Sequence, residues 1–154
     1  MIFALIAAAS AATASAPSNM AQAALQPWAS FVGHCWTGPA PGNAAIDTHC
    51  FEAVYGGQHI RDRHEVKAGG KTVYAGETLY SVEGSNVTFV YWNSLGGVGR
   101  GAATVTGDQM SFAGDMRGSP SGSSEHFTAS WRKVDGGYVV SDEGRQGSLF
   151  RRVD

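Results

Sequence analysis

The stretch Gly33-His-Cys-Trp-Thr-Gly38, followed by a Pro/Gly-rich loop and then Asp47-Thr-His-Cys50, begins the part of the chain that decides the fold. Trp36 lies between two glycines, and the only two cysteines of the chain lie on either side of the loop. Short runs of β-branched and aromatic residues joined by glycine and proline are typical of strands and turns. We therefore expect the first hairpin of an antiparallel sheet here.

The same pattern of short strands and turn signals continues to the end of the chain. Candidate strands lie at about 33–38, 45–55, 58–68, 71–82, 86–95, 98–106, 109–117, 123–134, 137–143 and 147–153. Connections this short cannot hold crossover helices, so the sheet should be antiparallel. An open sheet of this size would leave two unpaired edges, and we therefore predict an all-β, up-and-down barrel of about 8–10 strands. A two-sheet sandwich is the competing fold.

A helical pattern precedes the first strand. Apolar residues recur at helical spacing from Asn19 to Phe31, behind a candidate cap at Ser18 or Asn19. Pro27 should end or kink this helix. Because so short a helix is not stable alone, we expect it to cap one end of the barrel.

The first residues predict export. Residues 1–16 carry no charged side chain and end in the small-x-small motifs Ala12-Thr-Ala14 and Ala14-Ser-Ala16, which predicts a signal peptide and leaves 17–154 as a single domain. A short apolar tail is the alternative. The segment is shorter than the roughly 20 residues that cross a bilayer, and no later stretch is apolar enough. We expect a periplasmic or extracellular protein with no membrane span.

Export also bears on the cysteines. An oxidising compartment favours a disulfide between Cys35 and Cys50, and two reduced, buried cysteines are the alternative. A metal site formed by these cysteines with His34 and His49 is disfavoured, because adjacent residues of a strand point to opposite faces. We assign no metal and no cofactor to the chain.

The charge balance argues against a nucleic-acid partner. The chain has 11 Lys and Arg against 13 Asp and Glu, and its longest basic run is Arg151-Arg152. A nucleic-acid groove needs a basic patch that this sequence lacks.

The run Leu25-x-x-Trp28-x-x-Phe31-Val32-Gly33-x-x-Trp36-x-Gly38 resembles the entry of lipocalin-like (calycin) barrels. Segments 55–65 and 91–97 are similar to strands of uncharacterised bacterial lipocalin-like proteins. The resemblance implies that Trp36 has a structural role at the closed end of the barrel. It also implies that Arg151 or Arg152, on the last strand, packs against this indole.

Strand parity indicates where a site could lie. Alternate residues of a barrel strand face inward, and the strand at 58–68 then places Asp62 and His64 inside and its other charged residues outside. The same reasoning on the other strands gives an aromatic interior, although bulges at Gly76, Gly101 or Gly114 would reverse the parity. The ligand-binding candidates are Asp62, His64, Tyr80, Tyr91, Asn93, Phe112 and Trp131. An interior filled by side chains is the alternative to a cavity.

These features favour a barrel that binds a small apolar or amphipathic molecule. One alternative is an enzyme in which Asp62 and His64 form an acid–base pair, but no nucleophile is evident and we assign no catalytic residue. Another is a haem-binding barrel similar to nitrobindin. That resemblance implies a haem-binding histidine near the C-terminus. No histidine follows His126 in this chain, so His64 or His126 would have to reach the iron.

Overall fold

The computed structural model describes residues 20–40, 44–118, 122–142 and 147–154. The predicted signal peptide at 1–16 and the helix cap at Ser18 or Asn19 lie outside these residues.

Ten antiparallel strands form a closed barrel in which each strand pairs with its neighbours in sequence and β10 returns to β1. The strands are β1 Cys35–Pro39, β2 Ile46–Val54, β3 His59–Ala68, β4 Lys71–Glu83, β5 Asn86–Asn93, β6 Val98–Thr106, β7 Gln109–Arg117, β8 Glu125–Val134, β9 Gly137–Asp142 and β10 Ser148–Arg152. Trp36 lies opposite Arg152 at the closing pair. The predicted up-and-down barrel is confirmed, and the sandwich is excluded.

Gly76, Gly101 and Gly114, the positions at which a bulge could have reversed the strand parity, have regular partners. The irregularity in the β3–β4 pairing falls between Val66 and Lys67. Gly101 and Gly114 lie directly opposite each other in β6 and β7. A Cβ atom on Gly101 would lie 2.7 Å from the Cα atom of Gly114, so the two glycines allow these strands to approach closely.

A short helix, α1 (Met20–Leu25), leads into a 3₁₀ turn at Gln26–Trp28. The helix is shorter than predicted because Pro27 follows it, as the sequence indicated. Trp28 is fully buried, and its ring centroid lies 5.1 Å from that of Tyr80. Phe31 packs at 5.0 Å from Tyr138. This segment therefore fills one end of the barrel with aromatic side chains.

Trp36 belongs to the same aromatic cluster. It packs edge-on against Phe31 and Tyr138, with both centroid distances at 5.6 Å. Arg152 Nε donates a hydrogen bond to the carboxylate of Asp154 at 3.0 Å. The expected packing of an arginine on the indole stays a prediction.

Among the residues that the structure describes, no helix has both the length and the apolar character needed to cross a membrane.

The predicted disulfide between Cys35 and Cys50 is confirmed. The two cysteines are register partners in β1 and β2, and their Cα atoms are 4.1 Å apart. Their neighbours Trp36 and His49 face the interior, so the bond lies on the outer surface of the barrel. It covalently links the first hairpin.

Replacing both Cys35 and Cys50 by serine should lower the free energy of unfolding. A bridge that closes a loop of this length contributes roughly 3 kcal/mol by restricting the unfolded chain. Urea denaturation of the oxidised wild type and the double variant measures this difference. An unchanged denaturation midpoint at an unchanged slope would contradict a stabilising role for the bond.

Candidate functional site

The half of the barrel away from α1 contains a cavity of about 1240 Å³. One part of its wall is apolar, formed by Phe89, Phe112, Phe127, Trp131, Val140 and Phe150. The other part is polar and comes from β2, β3, β4 and β5. We call the side chains of Asp47, His49, Asp62, His64, Tyr74 and Tyr91 the polar wall.

Register brings the polar wall together. β2 and β3 form a hairpin in which His49 lies directly opposite His64. Their imidazole centroids are 4.8 Å apart. Asp62 is the diagonal neighbour of His49, and Asp47 is the diagonal neighbour of His64, within reach of cross-strand side-chain contacts. Two histidines and two aspartates thus meet on one inner face.

These four side chains form a continuous chain of contacts. His49 Nδ1 lies 2.9 Å from Asp62 Oδ2, and His49 Nε2 lies 3.3 Å from Asp47 Oδ2. The other oxygen of Asp47 lies 3.3 Å from His64 Nδ1. Asp62 is only 2% exposed, so its pairing with His49 offsets the cost of burying a carboxylate.

The series of side-chain contacts continues from His64 of β3 to Tyr91 of β5, past a glycine of β4. His64 Nε2 lies 3.1 Å from the Tyr91 hydroxyl, which is hydrogen-bonded to the hydroxyl of Tyr74. Gly76 of β4 lies between His64 and Tyr91. A Cβ atom there would lie 2.6 Å from the Tyr91 hydroxyl oxygen and closer still to His64 Nε2. Gly76 therefore provides the space for this hydrogen bond.

The electrostatics of the site favour a charged imidazolium. Burial acts to lower the pKa of His49, but the carboxylates of Asp62 and Asp47 outweigh it and raise that pKa to about 10. Burial would raise the pKa of Asp47, yet hydrogen bonds from His49 and His64 hold it well below its usual range. Burial, together with the neighbouring Tyr74, raises the pKa of Tyr91, which keeps its phenol neutral.

Most of the sequence-predicted site residues lie on the cavity wall. Asp62, His64, Tyr80, Tyr91, Phe112 and Trp131 all line it. Asn93 is placed differently, because its side-chain oxygen accepts hydrogen bonds from the backbone amides of Leu95 and Gly97. It supports the turn after β5, and its role in ligand binding stays a prediction.

Sequence reasoning missed Asp47 and His49. It also treated Asp62 and His64 as one pair, whereas each of them contacts a different partner on β2. The available signal was the alternation Asp47-x-His49-x-Phe51, which places three side chains on one face of β2. From the sequence alone, His49 was considered only as a ligand in a metal site with its neighbour Cys50.

No protein-family model matches the chain, and a search of curated proteins found no significant match. The class of protein therefore rests on the fold and the site: a closed ten-stranded antiparallel barrel with an interior cavity. This architecture is consistent with a lipocalin-like fold.

Stability should fall as the pH rises from about 6.5 towards 10. The folded-state pKa of His49 lies above its unfolded value, so its contribution is complete below the unfolded pKa and is lost on approaching the folded one. Asp47 also stabilises the folded chain, but its pH dependence is opposite. Because its pKa is lowered in the folded state, its contribution is lost in acid. Calorimetric melting temperatures across this range test the expectation.

The comparison variant is His49→Gln, which cannot carry the charge and should show a flatter decline. His59→Gln is the matched control, because His59 lies on the outer face and bonds Ser81. Parallel declines in wild type and His49→Gln would contradict the assignment.

Gly76→Ala should disrupt the polar wall. The added methyl group overlaps His64 and Tyr91, and overpacking of this kind costs about 1–3 kcal/mol. Gly99→Ala is the matched control, because its Cβ would meet the flexible end of Met116 at 3.2 Å and would lie at an ordinary contact distance of 3.4 Å from the Cβ of Tyr91. Thermal unfolding of both variants measures the difference, and equal melting temperatures would show that Gly76 is not needed for space.

Proposed function

We propose that this protein is an exported, lipocalin-like (calycin) binding protein that holds a small amphipathic molecule inside its barrel. The observation that carries the proposal is the cavity, which combines an aromatic wall with the polar wall. Small-molecule sites have this composition: largely apolar surfaces with a few placed polar groups.

The size of the cavity supports binding. At about 1240 Å³ it exceeds the usual range of roughly 300–1,000 Å³ for small-molecule pockets. The aromatic cluster around Trp28, Phe31 and Tyr138 closes the end near α1, so a ligand would enter from the opposite end. An apolar body would lie against Phe89, Phe112 and Trp131.

The polar wall supports an amphipathic ligand over a purely apolar one. Its side chains are already hydrogen-bonded to one another, which holds them in place before a ligand arrives. A polar head group would contact Asp47, His64 and Tyr91, which all line the cavity.

The disulfide supports export. Bonds of this kind persist in oxidising compartments and are rare in the cytosol, which agrees with the expected signal peptide at 1–16.

The haem and enzyme alternatives receive less support from the geometry. Both ring nitrogens of His64 have partners, in Asp47 and Tyr91, and His126 is paired with Asp115 at the rim. A haem iron would have to displace one of these contacts. For the enzyme alternative, the contacts of Asp62 and His64 are with other protein side chains and point to no particular substrate. Binding is therefore the function that the geometry supports best.

Binding can be tested with the neutral fluorescent amine N-phenyl-1-naphthylamine. We expect one probe per chain, with the blue-shifted emission of an apolar site. Ala129→Trp places an indole beside Phe112, on the aromatic wall where the probe would lie, and should weaken binding by at least about tenfold by occupying that surface.

Ala113→Trp is the matched control. Ala113 is exposed on the outer face of β7, next to the buried Phe112, so this variant should bind the probe like the wild type. Loss of binding in both variants, equal binding by Ala129→Trp and wild type, or no binding by the wild type would overturn the proposal.

A further inference from the structure

Three side chains of the polar wall converge on one point of the cavity. One donor atom from each of Asp47, His49 and His64 lies within 4.8 Å of the other two. The two aspartate oxygens point in different directions, one to each imidazole, at 3.3 Å from His49 Nε2 and from His64 Nδ1. Two imidazole nitrogens and one carboxylate are a ligand set that binds transition metals.

The separations match a tetrahedral ion. Ligand atoms at the usual 2.0–2.2 Å from Zn²⁺ lie about 3.3–3.6 Å from each other. Each aspartate-to-histidine contact, made by a different oxygen of Asp47, falls at the lower end of this range. With one of these oxygens as the ligand, all three ligand atoms lie within 4.8 Å of one another. The remaining histidine-to-histidine gap can be closed by rotation of the side chains, since the register already places the two residues opposite each other.

The outer contacts of the two histidines are those of a metal centre. Metal-binding histidines usually place their second ring nitrogen against a carboxylate or another oxygen, which fixes the orientation of the ring. His49 Nδ1 lies 2.9 Å from Asp62, and His64 Nε2 lies 3.1 Å from the Tyr91 hydroxyl. In each histidine, one ring nitrogen contacts Asp62 or the Tyr91 hydroxyl, and the other ring nitrogen faces Asp47.

We propose that Asp47, His49 and His64 bind one divalent transition-metal ion, and that Zn²⁺ fits this set best. The ion would displace the proton that His49 holds towards Asp47 in the metal-free site, so binding would release a proton and strengthen as the pH rises. The three protein ligands leave a fourth tetrahedral position, as in zinc sites that bind an exogenous molecule. Because all three ligands line the cavity, that position opens onto the space where a small molecule would bind.

Two nitrogen ligands distinguish this site from one for Mg²⁺ or Ca²⁺, which prefer oxygen. The disulfide removes Cys35 and Cys50 as competing ligands. The proposal does not depend on the binding of an amphipathic molecule, so the metal and probe experiments can fail separately.

The test is a calorimetric titration of untagged, oxidised protein with Zn²⁺, in a non-chelating buffer with excess Mg²⁺. We expect one Zn²⁺ per chain and a rise in melting temperature, since an ion that binds the folded chain stabilises it. A parallel titration with Co²⁺ should give the strong visible absorption of a tetrahedral centre.

The size of the loss in Zn²⁺ affinity distinguishes a metal ligand from a residue that only orients a ligand. Asp47→Asn, His49→Gln and His64→Gln should each weaken Zn²⁺ binding by more than about 100-fold, beyond the usual effect of losing an outer partner. Tyr91→Phe removes only the hydroxyl behind His64 and should weaken binding by about 10-fold. This last variant keeps the test informative if a ligand variant does not fold.

His59→Gln is the matched control, because His59 belongs to β3 but bonds Ser81 on the outer face. It should bind Zn²⁺ like the wild type. No stoichiometric binding by the wild type, wild-type affinity in His49→Gln or His64→Gln, or loss of binding in His59→Gln would overturn the proposal.

Discussion

The pairing of β2 with β3 is the constraint on which the site depends. Once the chain turns at Tyr55–Gly57, His49 must lie opposite His64, and the two aspartates become their diagonal neighbours. A shift of β2 by one residue would turn Asp47 and His49 to the outer surface, away from Asp62 and His64. The outer face opposes such a shift, because there Arg61 and Arg63 contact Glu52.

The barrel divides its interior into two parts with different roles. The aromatic cluster around Trp28, Phe31 and Tyr138 fills the end near α1 and is part of the buried core. Because that end is solid, the other can remain open around a cavity. The polar wall lies at the boundary: Asp62 is buried near the aromatic cluster, and Tyr74 lies towards the open end.

The sequence was sufficient for the strands and their parity, but not for the full site. Turn residues and the alternation of side chains predicted all ten strands and the inward direction of Asp62 and His64. Which residues of β2 contact Asp62 and His64 depends on the register between β2 and β3. The alternation of side chains along one strand does not determine that register. Asn93 shows the same limit, since its hydrogen bonds to Leu95 and Gly97 depend on the geometry of the turn. The sequence indicated Gly76 only as a position where a bulge could occur, because its role in making space for His64 and Tyr91 depends on residues of the two neighbouring strands.

The buried contact between His49 and Asp62 couples these two residues energetically inside the barrel. A double-mutant cycle with His49→Gln, Asp62→Asn and the combined variant measures this coupling as a free energy of unfolding. Residues that share a buried contact couple by about 0.5–3 kcal/mol, and we expect a coupling energy in the upper part of that range. Additivity of the two substitutions within about 0.3 kcal/mol would contradict it.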